Sequence, residues 1–366
     1  MERRRGGFGL IGIVLCLLGA RTGSCAEKAH DAGKGESSAV TTRETKATSE
    51  SEYVYKTVEG RDLTIVAHWP EGWKEGDKRT AMVFWFGGGF YPFSQLPEPK
   101  DTLEKWPPGP AQLPLYFAKR GLVTLRAEVR GRVSIPVTPH RAIEDAISAM
   151  RWIRQNAGML GIDPDRIVTN GRSGGSILAA SVFCIEEFQA PDEDRSISHE
   201  PNAMILYAPG LDLLPEGSAS ELQMYAYGGD REYAARISPG RHWRANMPPT
   251  LILISSNDPN YAAATQLVAT WKPRGEPIDI FVAEGAVHGF QNWSPWLEKT
   301  TLRTDEFLQS IGFLSSEPKV DPPAATMPES ERNRQAQLLQ HGVNPEQMRK
   351  LMEARKKASG PEASSE

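Results

Sequence analysis

The side chains that could do chemistry in this chain are concentrated at Phe86-Gly87-Gly88-Gly89-Phe90, at Gly171-Arg172-Ser173-Gly174-Gly175, at Asp258 and at His288. A serine hydroxyl is a weak nucleophile until a base takes its proton, and a carboxylate fixes the tautomer of that base, so the set predicts acyl transfer through a tetrahedral oxyanion. Backbone N–H groups of residues without side chains can approach such an oxyanion closely. Gly88, Gly89 and Gly174 are the expected donors. Ser173 lies in a G-x-S-x-G match whose weight comes from context, because a strand-like run ends at Asn170 and a helical pattern starts at Gly174. A sharp strand-to-helix turn there lifts the hydroxyl above a sheet, and side chains at 171 or 175 would collide with the turn.

Seven histidines compete for the role of base. His30 and His341 fall in polar ends, His68 lies in an early strand, and His140, His199 and His242 sit in loops or helix starts. His288 follows the last strand by a short loop, Glu284-Gly285-Ala286-Val287, which places it over the same sheet edge as Ser173. The orienting carboxylate belongs between serine and histidine, just beyond the strand Thr250 to Ser255, where Asp258 stands; Asp212, after the preceding strand, is its rival.

These groups need a scaffold that brings distant loops to one edge. From Tyr53 to Leu314 short apolar runs alternate with longer helical stretches. Tyr53–Val58 and Leu63–Trp69 read as an antiparallel pair joined at Glu59-Gly60-Arg61. The runs 81–86, 122–129, 166–170, 203–207, 250–255 and 278–282 read as buried parallel strands, and 111–119, 141–157, 174–187, 262–271 and 296–311 as helices. The expected fold is α/β, a mostly parallel sheet of about eight strands with helices on both faces and its site at the carboxyl ends of the strands.

The flanks read differently. Arg3-Arg4-Arg5, an apolar stretch from Phe8 to Ala20 and small residues at Ser24 and Ala26 form a signal-peptide pattern over residues 1–26, so export to a periplasmic or extracellular location is expected. At about 13 residues the stretch is short of the roughly 20 that cross a bilayer. Cys25 after Thr-Gly-Ser also fits a lipoprotein cleavage site, with Thr22 where a larger aliphatic residue is usual. Residues 27–51 read as a disordered linker, 52–314 as the catalytic domain, and 315–366 as a polar tail, disordered or weakly helical. Cys184 has no partner inside the domain, so no disulfide framework is expected. The net charge of −4 gives no reason to expect nucleic acid or an anionic membrane as a partner.

Taken together, the motifs resemble the α/β-hydrolase superfamily, and within it the acetyl-esterase and feruloyl-esterase-like group related to hormone-sensitive lipase. Further matches are Val129-Arg130, Ala142-Ile143-Glu144-Asp145-Ala146, Arg151-Trp152-Ile153-Arg154, Gly161-Ile162-Asp163-Pro164-Asp165-Arg166-Ile167, Ile237-Ser238-Pro239 and Met247-Pro248-Pro249-Thr250-Leu251-Ile252. The resemblance implies hydrolysis of small acyl esters or esterified carbohydrates through an acyl-enzyme, without cofactor or metal. The chain departs from it at Phe86, where many relatives have histidine, at Arg172 beside the nucleophile, and at Ser255-Ser256-Asn257-Asp258-Pro259, which lacks the usual glycine. Arg172 could pair with Glu144 or Asp145 or meet an anionic substrate. Phe90, Arg172, Tyr227 and Trp243 are the candidate substrate-binding residues, the aromatic ones serving equally well to pack a lid. A serine peptidase of the prolyl-oligopeptidase type and a non-catalytic binding protein on the same fold are the alternatives.

Overall fold

The computed structural model describes residues 40–44, 49–85, 108–130, 139–214 and 231–341. The strands among them are β1 Val40–Glu44, β2 Ser49–Val58, β3 Arg61–His68, β4 Arg79–Trp85, β5 Val123–Ala127, β6 Ile162–Arg172, β7 Ala203–Tyr207, β8 Thr250–Ser255 and β9 Ile278–Ala283. The helices are α1 Pro108–Lys119, α2 Pro139–Gln155, α3 Gly174–Cys184, α4 Arg231–Arg236, α5 Tyr261–Trp271, α6 Trp296–Ser310 and α7 Glu329–His341.

The strands form a single sheet in the order β1-β2-β3-β5-β4-β6-β7-β8-β9. From β5 through β9 all neighbours are parallel, and β1 to β3 join the edge antiparallel. Glu59 and Gly60 both have positive φ between the paired residues Val58 and Arg61, a twist that suits a two-residue hairpin. One strand exceeds the expectation: β1 falls inside the stretch read as linker, where the β-branched Val40, Thr41 and Thr42 pair with Tyr53, Glu52 and Ser51 of β2.

β4 sits at the centre, and its side chains alternate between the two layers. Val83 and Trp85 join a cluster with α2 and α3, while Met82 and Phe84 join a second cluster with α1 and α6. Both faces of the sheet are therefore covered, which is why the central strands are apolar without interruption. α3 is buried along almost its whole length, so it runs inside the molecule and carries apolar or small residues all round.

The chain leaves β4 for β5 on one side and, after α2, returns to β6 on the other. Ligands of open α/β sheets bind at such a reversal, outside the carboxyl ends of the strands. β4 ends at Trp85 and β6 at Arg172 on that edge of the sheet, and Ser173 follows directly.

Beyond α6 the polar segment is tied down by hydrogen bonds more than by apolar burial. Arg120 is ion-paired with Asp305 at 2.6 Å and donates to the carbonyls of Ser315 and Pro318. Ser294 and Ala325 exchange two further bonds. α7 follows, and the Arg334 guanidinium lies over Gly289, 3.6 Å from where a Cβ would stand.

Candidate active site

Ser173 is the single residue between β6 and α3, and it holds φ 51° and ψ −122°, a strained backbone that exposes the hydroxyl at a strand-to-helix turn. Its N–H is held by the carbonyl of Tyr207 at 2.9 Å, and Ser176 Oγ donates to the same carbonyl at 2.8 Å. A Cβ at Gly171 would stand 2.3 Å from the carbonyl oxygen of Gly175, so only glycine fits where the turn folds back on the strand. Gly174 opens α3, so its N–H stands at the positive end of the helix.

Asp258 and His288 arrive on the loops that leave β8 and β9. The two loops are joined by Asn257 N–H to Ala286 O at 3.2 Å and Gly285 N–H to Ser256 Oγ at 2.8 Å. Asp258 Oδ2 lies 2.7 Å from His288 Nδ1, and His288 Nε2 lies 2.9 Å from Ser173 Oγ. The Asp258 side chain is fully buried while that of His288 is 35% exposed, so the relay runs from a sealed carboxylate to an imidazole open toward the serine. With Nδ1–H donated to the carboxylate, Nε2 is left to accept from the serine. Asp258 Oδ1 accepts from the N–H of Asn260 at 2.9 Å and from its side-chain amide at 3.1 Å, which fixes the carboxylate plane.

The competitors lie elsewhere. His140 contacts the Tyr233 hydroxyl, His199 the carbonyl of Val182 and His242 the carbonyl of Ala235, while Asp212 pairs with Arg241 at 2.8 Å. Buried His68 accepts from Arg126 Nε, and burial together with that cation lowers its pKa to about 3.

Of the remaining sequence candidates, Gly88, Gly89, Phe90 and Tyr227 lie outside the described residues. Trp243 is buried, its ring edge-on to Phe183 and its indole N–H on the sulfur of Met247. Arg172 pairs with neither Glu144 nor Asp145, both of which are engaged by Arg130 and Lys56. Its guanidinium is buried against the ring of Tyr207 and donates to Asn292 Oδ1 at 3.0 Å. Among the described residues no cluster of His, Cys, Asp or Glu could hold a metal ion.

Sequence reasoning missed Asn260, Tyr207 and Asn292. An Asp whose side chain accepts the N–H two residues on is a recognised turn, so Asp258-Pro259-Asn260 carried a local signal. Tyr207 and Asn292 act through contacts 31 and 120 residues away in the chain, which no local pattern reveals.

Comparison with known proteins agrees with this architecture. A family model described as alpha/beta hydrolase fold matches residues 138–292. Esterase LipI of Mycobacterium tuberculosis is 24% identical over 254 residues, spanning 58% of this chain and 78% of that protein. The apo form of Thermogutta terrifontis esterase 2 is 34% identical with a TM-score of 0.64, covering 76% of this chain and 98% of that one. The propionate-bound form of the same enzyme is 34% identical with a TM-score of 0.62, covering 74% and 96%.

Proposed function

The chain belongs to the α/β-hydrolase esterases, and on that footing we propose an exported serine carboxylesterase that cleaves short-chain acyl esters, with Ser173 as nucleophile, His288 as general base and acid, and Asp258 as its orienting carboxylate. The observation that carries this reading is the continuous relay of 2.7 and 2.9 Å between the three side chains.

In this mechanism Ser173 Oγ attacks the ester carbonyl carbon as its proton passes to His288 Nε2. The carbonyl oxygen becomes an oxyanion held by the N–H groups of Gly174 and of Gly88 and Gly89. Collapse expels the alcohol, which takes the proton from Nε2 and leaves an acyl group on Ser173. A water then gives its proton to Nε2 and attacks the acyl carbon, and the acid departs as the proton returns to Oγ. No cofactor or metal enters any step. The buried Asp258 carboxylate stabilises the imidazolium formed in each half-reaction.

A short acyl group is supported by the related Thermogutta terrifontis esterase 2, whose structures include propionate-bound and butyrate-bound forms. Acetyl and feruloyl esters of polysaccharides are the natural substrates proposed, with Phe90 and Tyr227 as the candidate substrate-binding residues. The basic, apolar and small-residue sequence of residues 1–26 supports export as a cleaved signal or, if Cys25 is modified, as a lipoprotein. The test is hydrolysis of 4-nitrophenyl acetate and butyrate by the wild type and by Ser173→Ala at matched folding. Turnover that disappears in the variant supports the nucleophile and leads on to acetylated xylan; turnover retained in it refutes the assignment.

A further inference from the structure

Arg172, the last residue of β6, is 3% exposed, and it enters no ion pair among the described residues. Nη1 donates to Asn292 Oδ1 at 3.0 Å, whereas Nε and Nη2 have no hydrogen-bond partner among the described residues. A buried cation with idle donors opposes folding, and an apolar side chain of similar volume would be tolerated better there. The parts it touches give the reason for its presence.

The guanidinium carbon stands 4.4 Å from the centroid of the Tyr207 ring. Tyr207 is also the sheet partner of Arg172, its carbonyl holds the Ser173 turn, and its hydroxyl is fixed by Thr304 of α6 at 2.7 Å. Asn292 closes the short turn that begins at Phe290, two residues after His288. On a third side, a Cβ at Gly109 would stand 2.8 Å from Nη1 and 2.9 Å from the carbonyl of Gln291, so the first turn of α1 presses on both. The planar fork is thus held between Tyr207 of the neighbouring strand β7, whose carbonyl anchors the Ser173 turn, Asn292 of the loop that presents His288, and the first turn of α1.

Resting on the assignment of Ser173 and His288, we infer that Arg172 is a positioning residue that locks the turn carrying the nucleophile to the loop carrying the base, through Asn292. It touches no reacting atom. Without it each loop keeps its own backbone hydrogen bonds, but the register between them relaxes, and misplacement by about 1 Å costs on the order of a hundredfold in rate. Lysine would restore the charge without the planar fork.

The test measures kcat and KM for 4-nitrophenyl acetate, with melting temperature, in the full chain carrying Arg172→Met, Arg172→Lys, Asn292→Ala, Arg172→Met with Asn292→Ala, and Ser173→Ala. For Arg172→Met kcat is expected to fall about tenfold to a hundredfold, KM to change by less than about threefold, and the melting temperature to stay at or above that of the wild type. Arg172→Lys should fall between wild type and Arg172→Met, and the double variant should be no worse than about threefold below the poorer single one, as expected when both act through one contact. Activity and stability moving in opposite directions separates this role from simple packing. A kcat within about threefold of wild type in folded Arg172→Met, or losses that multiply in the double variant, would overturn the inference. If Arg172→Met fails to fold, Arg172→Lys and Asn292→Ala decide by the same criterion. Turnover surviving in Ser173→Ala removes the premise, whereas an inactive Ser173→Ala beside an unimpaired Arg172→Met sinks the inference alone.

Discussion

Gly171→Ala tests whether the geometry of the serine turn, rather than the identity of the serine alone, sets activity. The added Cβ would stand 2.3 Å from Gly175 O, 2.6 Å from Gly175 C and 2.6 Å from Ser176 Cα. All three are backbone atoms of α3, a helix buried along almost its whole length, so no flexible side chain can yield. Ordinary contact therefore requires the turn and the helix start to separate by about 1 Å, and overpacking of this kind costs about 1–3 kcal/mol. For a domain of this size that lowers the melting temperature by several degrees, about 2–4 °C for each kcal/mol. The same displacement carries Ser173 Oγ away from His288 Nε2, now at 2.9 Å, and kcat should fall on the order of a hundredfold. Gly158→Ala is the control: nothing lies within 4 Å of its Cβ position and its φ is not left-handed. It should leave kcat unchanged and be neutral or stabilising by up to about 1 kcal/mol. Gly171→Ala with a melting temperature and kcat both close to wild type would refute the argument.

Two other perturbations follow from the same groups. Asp258→Asn keeps the shape of the site, but Asn260 donates to one side-chain atom, so the amide oxygen stays there and the amide nitrogen turns to His288 Nδ1. The imidazole then carries its proton on Nε2 and cannot accept from Ser173, and steady-state kinetics on 4-nitrophenyl acetate should show kcat lower by about three to four orders of magnitude with little change in KM. Acid should destabilise the fold through His68, whose folded pKa of about 3 lies below the ordinary histidine value because of burial and Arg126. The unfolded chain binds the proton first, so this stability is complete above about pH 6.5 and is lost as pH falls toward 3, by about 5 kcal/mol at most. Glu144, buried yet held down to about 2 by Lys56, Arg141 and Arg130, adds a loss in the same direction below its ordinary carboxylate range. Urea unfolding at pH 7.5, 5.5 and 4 should show a shallower decline in His68→Gln than in the wild type; equal slopes would contradict it.

The parts of this protein legible in its sequence are those whose signal is local and repeated. β7 and β8 occupy 203–207 and 250–255 as their apolar runs predict, because strands covered on both faces carry no alternation to confuse the reading. The three side chains of the relay could be placed together because chain order follows the winding of the sheet, which returns each βα loop to one edge. From sequence β1 reads as linker because a single short edge strand among Lys, Glu and Ser is a weak signal against a polar background, and only its pairing with β2 gives it structure.

Arg172 marks where local reading stops. From sequence it is a cation beside Ser173, with Glu144 and Asp145 as its candidate partners. Those acids already receive Lys56 from β2 and Arg130 from the loop after β5. Both positions belong to α2 and face β2, whereas β6 sends Arg172 toward α1 and α6, on the side where Tyr207 and Asn292 stand. A strand directs successive side chains to opposite faces, so the partner of a residue at its end depends on which face that residue takes. With Ser173 forced out of the strand by its positive φ, Arg172 is the last residue the pleat controls, and it falls on the face away from the acids. The placement of this arginine therefore comes from strand parity and from a loop 120 residues away, and a reading confined to neighbours in the chain could not supply either.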